Sequence, residues 1–151
     1  MSVFIDAAAA EDISREAYFL LEQHLQGLRL MVMHVSANFA RHENPYQGVT
    51  RNHVHKALEI VAQKGLNLRI DDDEPIGDFP QDTYIYLEKR LHNLRLFVIR
   101  SAAAIAKPAG ASTTAEPRRI AAQHIESAWN ELADAYSILR SVLVADSATA
   151  A

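Results

Sequence analysis

The sequence predicts an all-α protein, and three observations support that fold class. Two long stretches, about residues 14–42 and 82–107, contain no proline and carry apolar residues at three- and four-residue spacing. Each long stretch is followed by a segment of turn-forming residues and then by a shorter amphipathic stretch. Hydrophobic residues make up 49% of the 151 residues, which suits one compact domain with a shared core.

The first half of the chain predicts a long helix followed by a short one. Ser14 is the expected N-cap of the long helix, and the turn-forming segment 44–48 ends it. Thr50 is expected to cap the short helix, and Gly65 is expected to end it. The apolar stripe of the long helix consists of Ala17, Leu21, Leu25, Leu28, Val32, Val35 and Phe39.

The second half repeats this order of elements. An acidic linker, about residues 66–81, is interrupted by prolines and a glycine and separates the two halves. Asp82 or Thr83 is the expected cap of the second long helix. Pro117 suits the first turn of a last helix, which is expected to continue to Ala145.

The two halves form an internal repeat. Residues 18–41 align with residues 84–107 without a gap, and ten of these 24 positions are identical, where unrelated chains would share about one or two. The short helices align after a five-residue insertion, which places His53 on His124. We therefore expect one domain of two repeats, about 1–65 and 82–145, with a frayed tail at 146–151. The identical pairs are Tyr18/Tyr84, Leu21/Leu87, Glu22/Glu88, Leu25/Leu91, Leu28/Leu94, Arg29/Arg95, Leu30/Leu96, Val32/Val98, Ala37/Ala103 and Ala40/Ala106.

A repeat of this kind predicts how the halves pack. One long helix with one short helix leaves much of the long helix's apolar face uncovered, so the two long helices are expected to cross and bury both faces together. The crossing should be antiparallel, near the helix midpoints, with a pseudo-two-fold axis between the halves. The residues expected in this shared core are Leu21, Leu25, Leu28, Val32, Leu87, Leu91, Leu94 and Val98.

The stretch ISREAYFLLEQHLQGLRLMVMHVSANFARH, residues 13–42, resembles the central helix of archaeal histones without a gap. The following VTRNHVHKALEIV resembles that family's short last helix, and residues 82–107 and 117–133 resemble the same two elements again. The resemblance covers about two thirds of the chain. It implies a single-chain histone-fold pseudo-dimer, in which two tandem repeats take the handshake arrangement of a histone dimer.

The chain departs from the family where the resemblance would place DNA. The family's last loop carries an Arg-Lys-Thr run that touches phosphates, whereas this chain has YQG at 46–48 and STT at 112–114. The family's aspartate near the start of the last helix corresponds to His53 and His124. The acidic residues 71–74 stand in place of the second repeat's first short helix, and the net charge is −4. Carboxylates at such a surface would repel phosphate.

These departures favour an architectural or interaction module that is not an enzyme and that binds a protein partner or self-associates. The alternative is a histone-like nucleoid protein that binds duplex DNA weakly and without sequence preference through its loop ends. The last helix carries an apolar stripe beyond the repeat, and this stripe either folds back over the core or forms a partner face of Tyr136, Leu139 and Leu143. For the alternative, the candidate DNA contacts are Arg41, Arg51, Lys107, Thr113, Thr114, Arg118 and Arg119.

The charged and histidine residues predict structure more than chemistry. His53 and His124 are expected to bridge loop and helix, and His55 and Glu59 to form an exposed pair at four-residue spacing. Arg29 and Arg95 are interpreted mainly as solvated side chains whose stems lie on the core edge. The alternative interpretation pairs them with Glu22 or Glu88 across the pseudo-two-fold axis.

Several classes of function are not expected. The sequence has no P-loop and no nucleophile motif, and its histidines lack a chelating spacing, so no enzyme, cofactor, metal or small-molecule substrate is predicted. It also has no apolar run of membrane-spanning length, so no membrane partner is predicted. Because it contains no cysteine, we expect a cytoplasmic protein, associated with the nucleoid if the DNA-binding alternative holds.

Overall fold

A computed structural model describes residues 12–43, 48–68, 76–106 and 119–145 of the chain. Most of these residues are helical, and the strands among them are one pair of two residues each. The all-α fold class is therefore correct. No helix among the described residues has an apolar stretch long enough to cross a bilayer.

The first long helix, α1, spans Arg15–Glu43. The Ser14 Oγ atom accepts a hydrogen bond from the Ala17 backbone N–H at 3.1 Å, so the predicted N-cap is confirmed. A helix of this length, 29 residues, is about 44 Å long. Its last turn carries Arg41 and His42, where positive charge interacts favourably with the helix dipole.

The first short helix, α2, spans Arg51–Lys64, and its predicted boundaries are confirmed. The Thr50 hydroxyl accepts a hydrogen bond from the His53 backbone N–H at the start of the helix. Gly65 ends it with φ +100°, a conformation that favours glycine. Gly65 also lies against α4, because a Cβ atom built on it would be 2.8 Å from the Ala133 carbonyl oxygen.

The second long helix, α3, spans Gln81–Ala106, within one residue of the prediction. Asp82 and Thr83 lie inside its first turn, so the prediction that one of them is the N-cap is wrong. The Thr83 hydroxyl instead donates a hydrogen bond to the Val49 carbonyl oxygen at 2.8 Å. This bond ties the start of α3 to the residues that precede α2.

The prediction of one continuous last helix is wrong. Residues Arg119–Ile120 form strand β2, which pairs in parallel with β1, Asp12–Ile13. Helix α4 then spans Ala122–Ala133, and after a break the chain forms the short helix α5, Tyr136–Leu139, and a π-helical turn at Arg140–Val144. The break redirects the chain so that it packs against α2 and α3. The predicted first-turn position, Pro117, lies outside the described residues.

The core lies between the long helices and the helices packed on them. Helix α1 contacts α2 and α4, and α3 contacts α4, α2 and the π-helical turn. All eight leucines and valines expected in the shared core are at most 3% exposed, and the long helices contact each other. These core residues are Leu21, Leu25, Leu28, Val32, Leu87, Leu91, Leu94 and Val98.

The expected partner face on the last helix is largely buried. Leu139 and Leu143 are completely buried in the core, so the proposal that they contact a partner is wrong. They are buried because α5 and the π-helical turn fold back over α2 and α3, which the sequence analysis considered as the other outcome. Tyr136 is 46% exposed and still lies on the surface.

Candidate interaction surfaces

Two arginine–glutamate pairs join the long helices at equivalent positions of the repeat. Arg29 donates to Glu88 through Nε at 2.5 Å and Nη2 at 2.9 Å. Arg95 donates to Glu22 through Nε at 2.7 Å and Nη2 at 2.9 Å. The contacts run in opposite directions along the two helices, so α1 and α3 are antiparallel where they meet. Both pairs are bidentate, which fixes the two helices in one register.

These pairs correct the interpretation of the two arginines. Each arginine side chain is 14% exposed, so neither is mainly solvated. Hydrogen bonding to Glu88 is the main reason why the pKa of the Arg29 guanidinium is raised further above its usual value. Burial acts in the opposite direction and lowers this pKa. The sequence placed the partners within reach but did not show that both carboxylates would turn towards the crossing.

The residue beside each pair differs between the repeats. Gln26 accepts a hydrogen bond from Arg29, whereas at the equivalent position His92 Nδ1 lies 3.4 Å from Arg95 Nη1. Burial, and then the positive charge of Arg95, lower the pKa of His92 below its usual value. The same geometry therefore contains a titratable ring in one repeat and a neutral amide in the other.

Exposed apolar side chains flank the charge pairs on the outer side of the long helices. Phe19 is 63% exposed and its repeat equivalent, Ile85, is 45% exposed. Leu30 is 44% exposed and follows Phe19 by about three helical turns, so both lie on one side of α1. We call the surface formed by Phe19, Leu30, Tyr84, Ile85 and the two arginine–glutamate pairs the crossing face.

The first end of the molecule lies where α1 begins and β2 leads into α4. Asp12 pairs with Arg119 and Ile13 with Ile120, and the Ser14 backbone N–H donates to the Ile120 carbonyl oxygen at 2.9 Å. Arg15, Glu16 and Arg119 are exposed here. Sequence reasoning named Arg119 as a DNA candidate but missed Arg15, although Arg15 directly follows the predicted cap.

The second end is built from the equivalent segments before α2 and α3. Gly48 lies against the segment that precedes α3, because a Cβ atom built on it would be 3.2 Å from Asp78 Oδ2. An open hollow of about 500 Å³ lies here, and Arg51, Asp78 and Asp82 are the charged residues that line it. The arginine therefore shares this end with two carboxylates.

Most of the candidate DNA contacts are not brought together by the described structure. Arg51 is exposed at the second end, and Arg119 is exposed at the first end and also takes part in interactions. Arg41 is half-buried in the last turn of α1 and takes part in interactions. The remaining candidates lie outside the described residues, and they are Lys107, Thr113, Thr114 and Arg118.

A histidine holds the start of each short helix. The Nδ1 atom of His53 accepts the Thr50 backbone N–H at 2.9 Å, and His124 Nδ1 accepts the Ala121 backbone N–H at 2.8 Å. Both residues stand at the third helical position, where a side chain can reach back to the cap residue. The predicted bridging of loop and helix is confirmed at both positions. His55 and Glu59 form the expected exposed pair, 3.0 Å apart.

The single tryptophan reports on the packing of α4 against α1. Trp129 stacks on His24 with a ring-centroid distance of 4.6 Å, and His24 Nε2 lies 3.1 Å from Glu126 Oε2. A groove of about 190 Å³ lies beside the stack, but Trp129, Leu28 and Met31 at its base are already at most 8% exposed. Little apolar surface is therefore left for a ligand to cover.

Comparisons with known protein families, curated protein sequences and solved structures found no match to this chain.

Proposed function

We propose that this chain is a single-chain histone-fold pseudo-dimer and that it acts as an architectural module which self-associates through its crossing face. The internal repeat and the histone resemblance of residues 13–42 support the first part. The reciprocal arginine–glutamate pairs are consistent with it, since each repeat contributes one arginine and one glutamate. An antiparallel crossing of two equivalent helices needs this reciprocity.

The observation that carries the proposal of self-association is the pair of exposed, equivalent side chains Phe19 and Ile85. Burying a large apolar side chain is more favourable than leaving it in water, and groups of exposed apolar side chains mark interaction sites. Four of the six large exposed apolar side chains among the described residues belong to the crossing face.

The charge of the crossing face favours a second copy of this chain over a nucleic acid. Its two arginines are already paired with glutamates, so the centre carries no excess positive charge. A phosphate backbone would have to compete with these carboxylates for each guanidinium. Phe19 and Ile85 are the exposed equivalent pair of this face, whereas the counterparts of Leu30 and Tyr84, Leu96 and Tyr18, are buried and half-buried.

Sedimentation velocity over a range from micromolar to millimolar protein tests this proposal. We expect the wild type to associate with increasing concentration, and Phe19→Glu/Ile85→Glu to remain at one chain over the same range. Ile138→Glu is the matched control, because Ile138 is 43% exposed but lies on α5, and this variant should associate like the wild type. A wild type that stays at one chain throughout would contradict the proposal, as would equal behaviour of the two variants.

Binding of duplex DNA is the second candidate function, and the geometry of the first end favours it over the second end. Two exposed arginines, Arg15 and Arg119, stand there beside the starts of α1 and α4, where helix N-termini favour anions. We expect this contact to be weak at physiological salt, because few phosphates would be neutralised and the salt dependence would be shallow.

Titration of a labelled duplex at about 50 mM and about 200 mM salt tests the DNA candidate. Arg119→Ala should remove what binding exists, whereas Arg51→Ala, at the end that also holds Asp78 and Asp82, should change it little. Tight binding at the higher salt that is lost in Arg119→Ala would make DNA binding the main function.

A further inference from the structure

One side of α1 carries no acidic or basic residue where it faces the solvent. From residue 17 to residue 37, the acidic and basic residues are Glu22 and Arg29, and both are half-buried in the pairs with α3. Solvated helix faces usually carry charged residues, whereas lysine and glutamate are depleted from interface cores. The exposed residues of this stretch, which we call the neutral ridge, are Phe19, Gln23, Gln26, Gly27 and Leu30.

The neutral ridge is symmetric along the helix direction. An apolar residue stands at each end and a glutamine stands inside each of them, with spacings of four, three and four residues. At about 100° per residue, these four side chains lie within a strip about 60° wide. In an antiparallel pair of identical helices, residue i contacts residue j and residue j contacts residue i. In such a pair, Phe19 meets Leu30 of the second copy, and Gln23 meets Gln26.

Gly27 lies beside this strip and is not required by the packing of the described residues. A Cβ atom built on it would meet nothing within 4 Å. Glycine inside a helix is less favourable than alanine, so its presence here reduces the stability of the chain. Gln23, Gln26, Gly27 and Leu30 have the i, i+3, i+4, i+7 spacing of a hole that receives a side chain from a facing helix. The missing Cβ atom makes this hole deeper.

The charge of the chain also favours contact at the neutral ridge. Because the net charge is −4, two copies repel each other overall, and they approach most easily where the surface is uncharged. Gln26 Oε1 accepts a hydrogen bond from Arg29. The Gln26 amide also has two N–H donors, and the Gln23 side chain has a matching acceptor. An antiparallel contact places one such glutamine pair on each side of its axis.

The equivalent side of α3 is less suited to this contact. Lys89 and Asn93 stand at the positions of Gln23 and Gly27. Leu96, at the position that ends the ridge in α1, is only 9% exposed. Two α3 helices packed in the same way would therefore bury two lysines and lack an apolar contact at one end.

We propose that the crossing face associates through the neutral ridge, so that α1 packs antiparallel on α1 of a second copy about a two-fold axis between Gln23 and Gln26. This inference rests on the proposed self-association and adds the helix, the direction and the register of the contact. About three turns of each helix meet, so the dimer is weak and depends on the protein concentration.

Sedimentation velocity of single variants tests which helix forms the contact. Gly27→Ala should lower the association constant about tenfold, because the added methyl group fills the hole, while its melting temperature should equal or exceed that of the wild type. Asn93→Ala, the equivalent change on α3, is the matched control and should leave association unchanged. Leu30→Glu should abolish association, whereas Ile85→Glu alone should change it little.

A distance between two copies tests the direction and the register. The chain contains no cysteine, so Asn38→Cys introduces a single attachment site for a nitroxide label on an exposed position of α1. Asn38 lies about 20 Å along the helix from the proposed axis, so the antiparallel dimer should place two labels about 40 Å apart in double electron–electron resonance. A parallel contact would place them less than about 20 Å apart.

The outcomes separate this inference from the proposed function. A wild type that stays at one chain at every concentration contradicts both. Association that persists in Gly27→Ala and Leu30→Glu but is lost in Ile85→Glu contradicts the neutral ridge and leaves self-association standing. A label separation below about 20 Å contradicts the antiparallel direction in the same way.

Discussion

At both ends of the molecule the carbonyl that precedes the start of a short helix accepts a hydrogen bond, but the donor atom differs. At the first end, the Ser14 backbone N–H donates to the Ile120 carbonyl. The equivalent residue at the second end is Pro80, which has no N–H, and there the Thr83 hydroxyl donates to the Val49 carbonyl. Each carbonyl belongs to a buried residue that needs a donor. The repeat therefore preserves the bond and not the residue that supplies it.

The ends also differ in charge, while the crossing between them does not. The first end exposes Arg15 and Arg119 together with the carboxylate Glu16, whereas the second combines Arg51 with Asp78 and Asp82. At the crossing, the same arginine and glutamate recur in both repeats. The parts that hold the long helices together have thus changed less than the parts that face a solvent or a partner.

The largest effect should come from a charge in the crossing. Leu94→Asp should unfold the chain, because it places an unpaired carboxylate at a fully buried position at a cost of several kcal/mol. Leu28→Asp, at the equivalent position, should be as damaging. Ile138→Asp is the control at a 43% exposed site outside the crossing face and should unfold within a few degrees of the wild type. Thermal unfolding followed by circular dichroism measures all three, and a near-normal transition for Leu94→Asp would show that the crossing is not central.

An intermediate effect is expected from the donor at the second end. Thr83→Val keeps the side-chain shape but leaves the Val49 carbonyl without its hydroxyl donor, which should cost about 1–3 kcal/mol in urea unfolding. Pro80→Ser restores a backbone N–H at the position of Ser14 and should recover about 1 kcal/mol of that loss in a double-mutant cycle. Ser137→Ala, at an exposed position, should be nearly neutral. Absence of coupling between Pro80 and Thr83 would refute the equivalence of the two ends.

The smallest effect concerns the residue in which the two sides of the crossing differ. Because burial and Arg95 lower the pKa of His92, the unfolded chain binds a proton more readily than the folded chain. The stability that the folded chain gains from keeping His92 neutral is therefore present above the usual histidine pKa of about 6.5. It is lost as the pH falls below that value, because the unfolded chain then binds the proton first. His92→Gln should reduce the acid-induced loss of stability, and Gln26→His should increase it. Urea unfolding of the three proteins across this pH range provides the measurement, and identical pH slopes would contradict the prediction.

Local signals in the sequence predicted most helix boundaries but not the contacts between distant segments. Thr50 and Gly65 mark the ends of α2 through their own side-chain and backbone chemistry, so the sequence sufficed there. The strand pair of Ile13 and Ile120 depends on residues far apart in the chain, and no local pattern announces it. The break after Ala133 contains neither proline nor glycine, and the residues that follow it pack on α2 and α3, which are distant in the sequence.

The candidate surfaces were predicted less well for the same physical reason. Repeat alignment identified His53 and His124 as equivalent, and both hold a helix start. It also placed Arg29 and Glu88 near a shared axis, but whether the side chains would pair or extend into water depends on the distance between the helices. That distance is set by the packed core and by no property of either residue alone.

The contact of Gly65 with Ala133 indicates where this chain can grow in length. A Cβ atom at Gly65 would lie 2.8 Å from a backbone oxygen of α4, so the ends of α2 and α4 abut with room for hydrogen alone. The contact joins the residue that ends α2 to the last residue of α4, so a residue inserted at this contact would separate the two helix ends. The loops between long and short helices differ by five residues between the repeats, and the alignment continues beyond the longer one. A foreign peptide inserted for display or labelling therefore belongs in the sequence between a long and a short helix, and the contact at Gly65 sets the length that must stay constant.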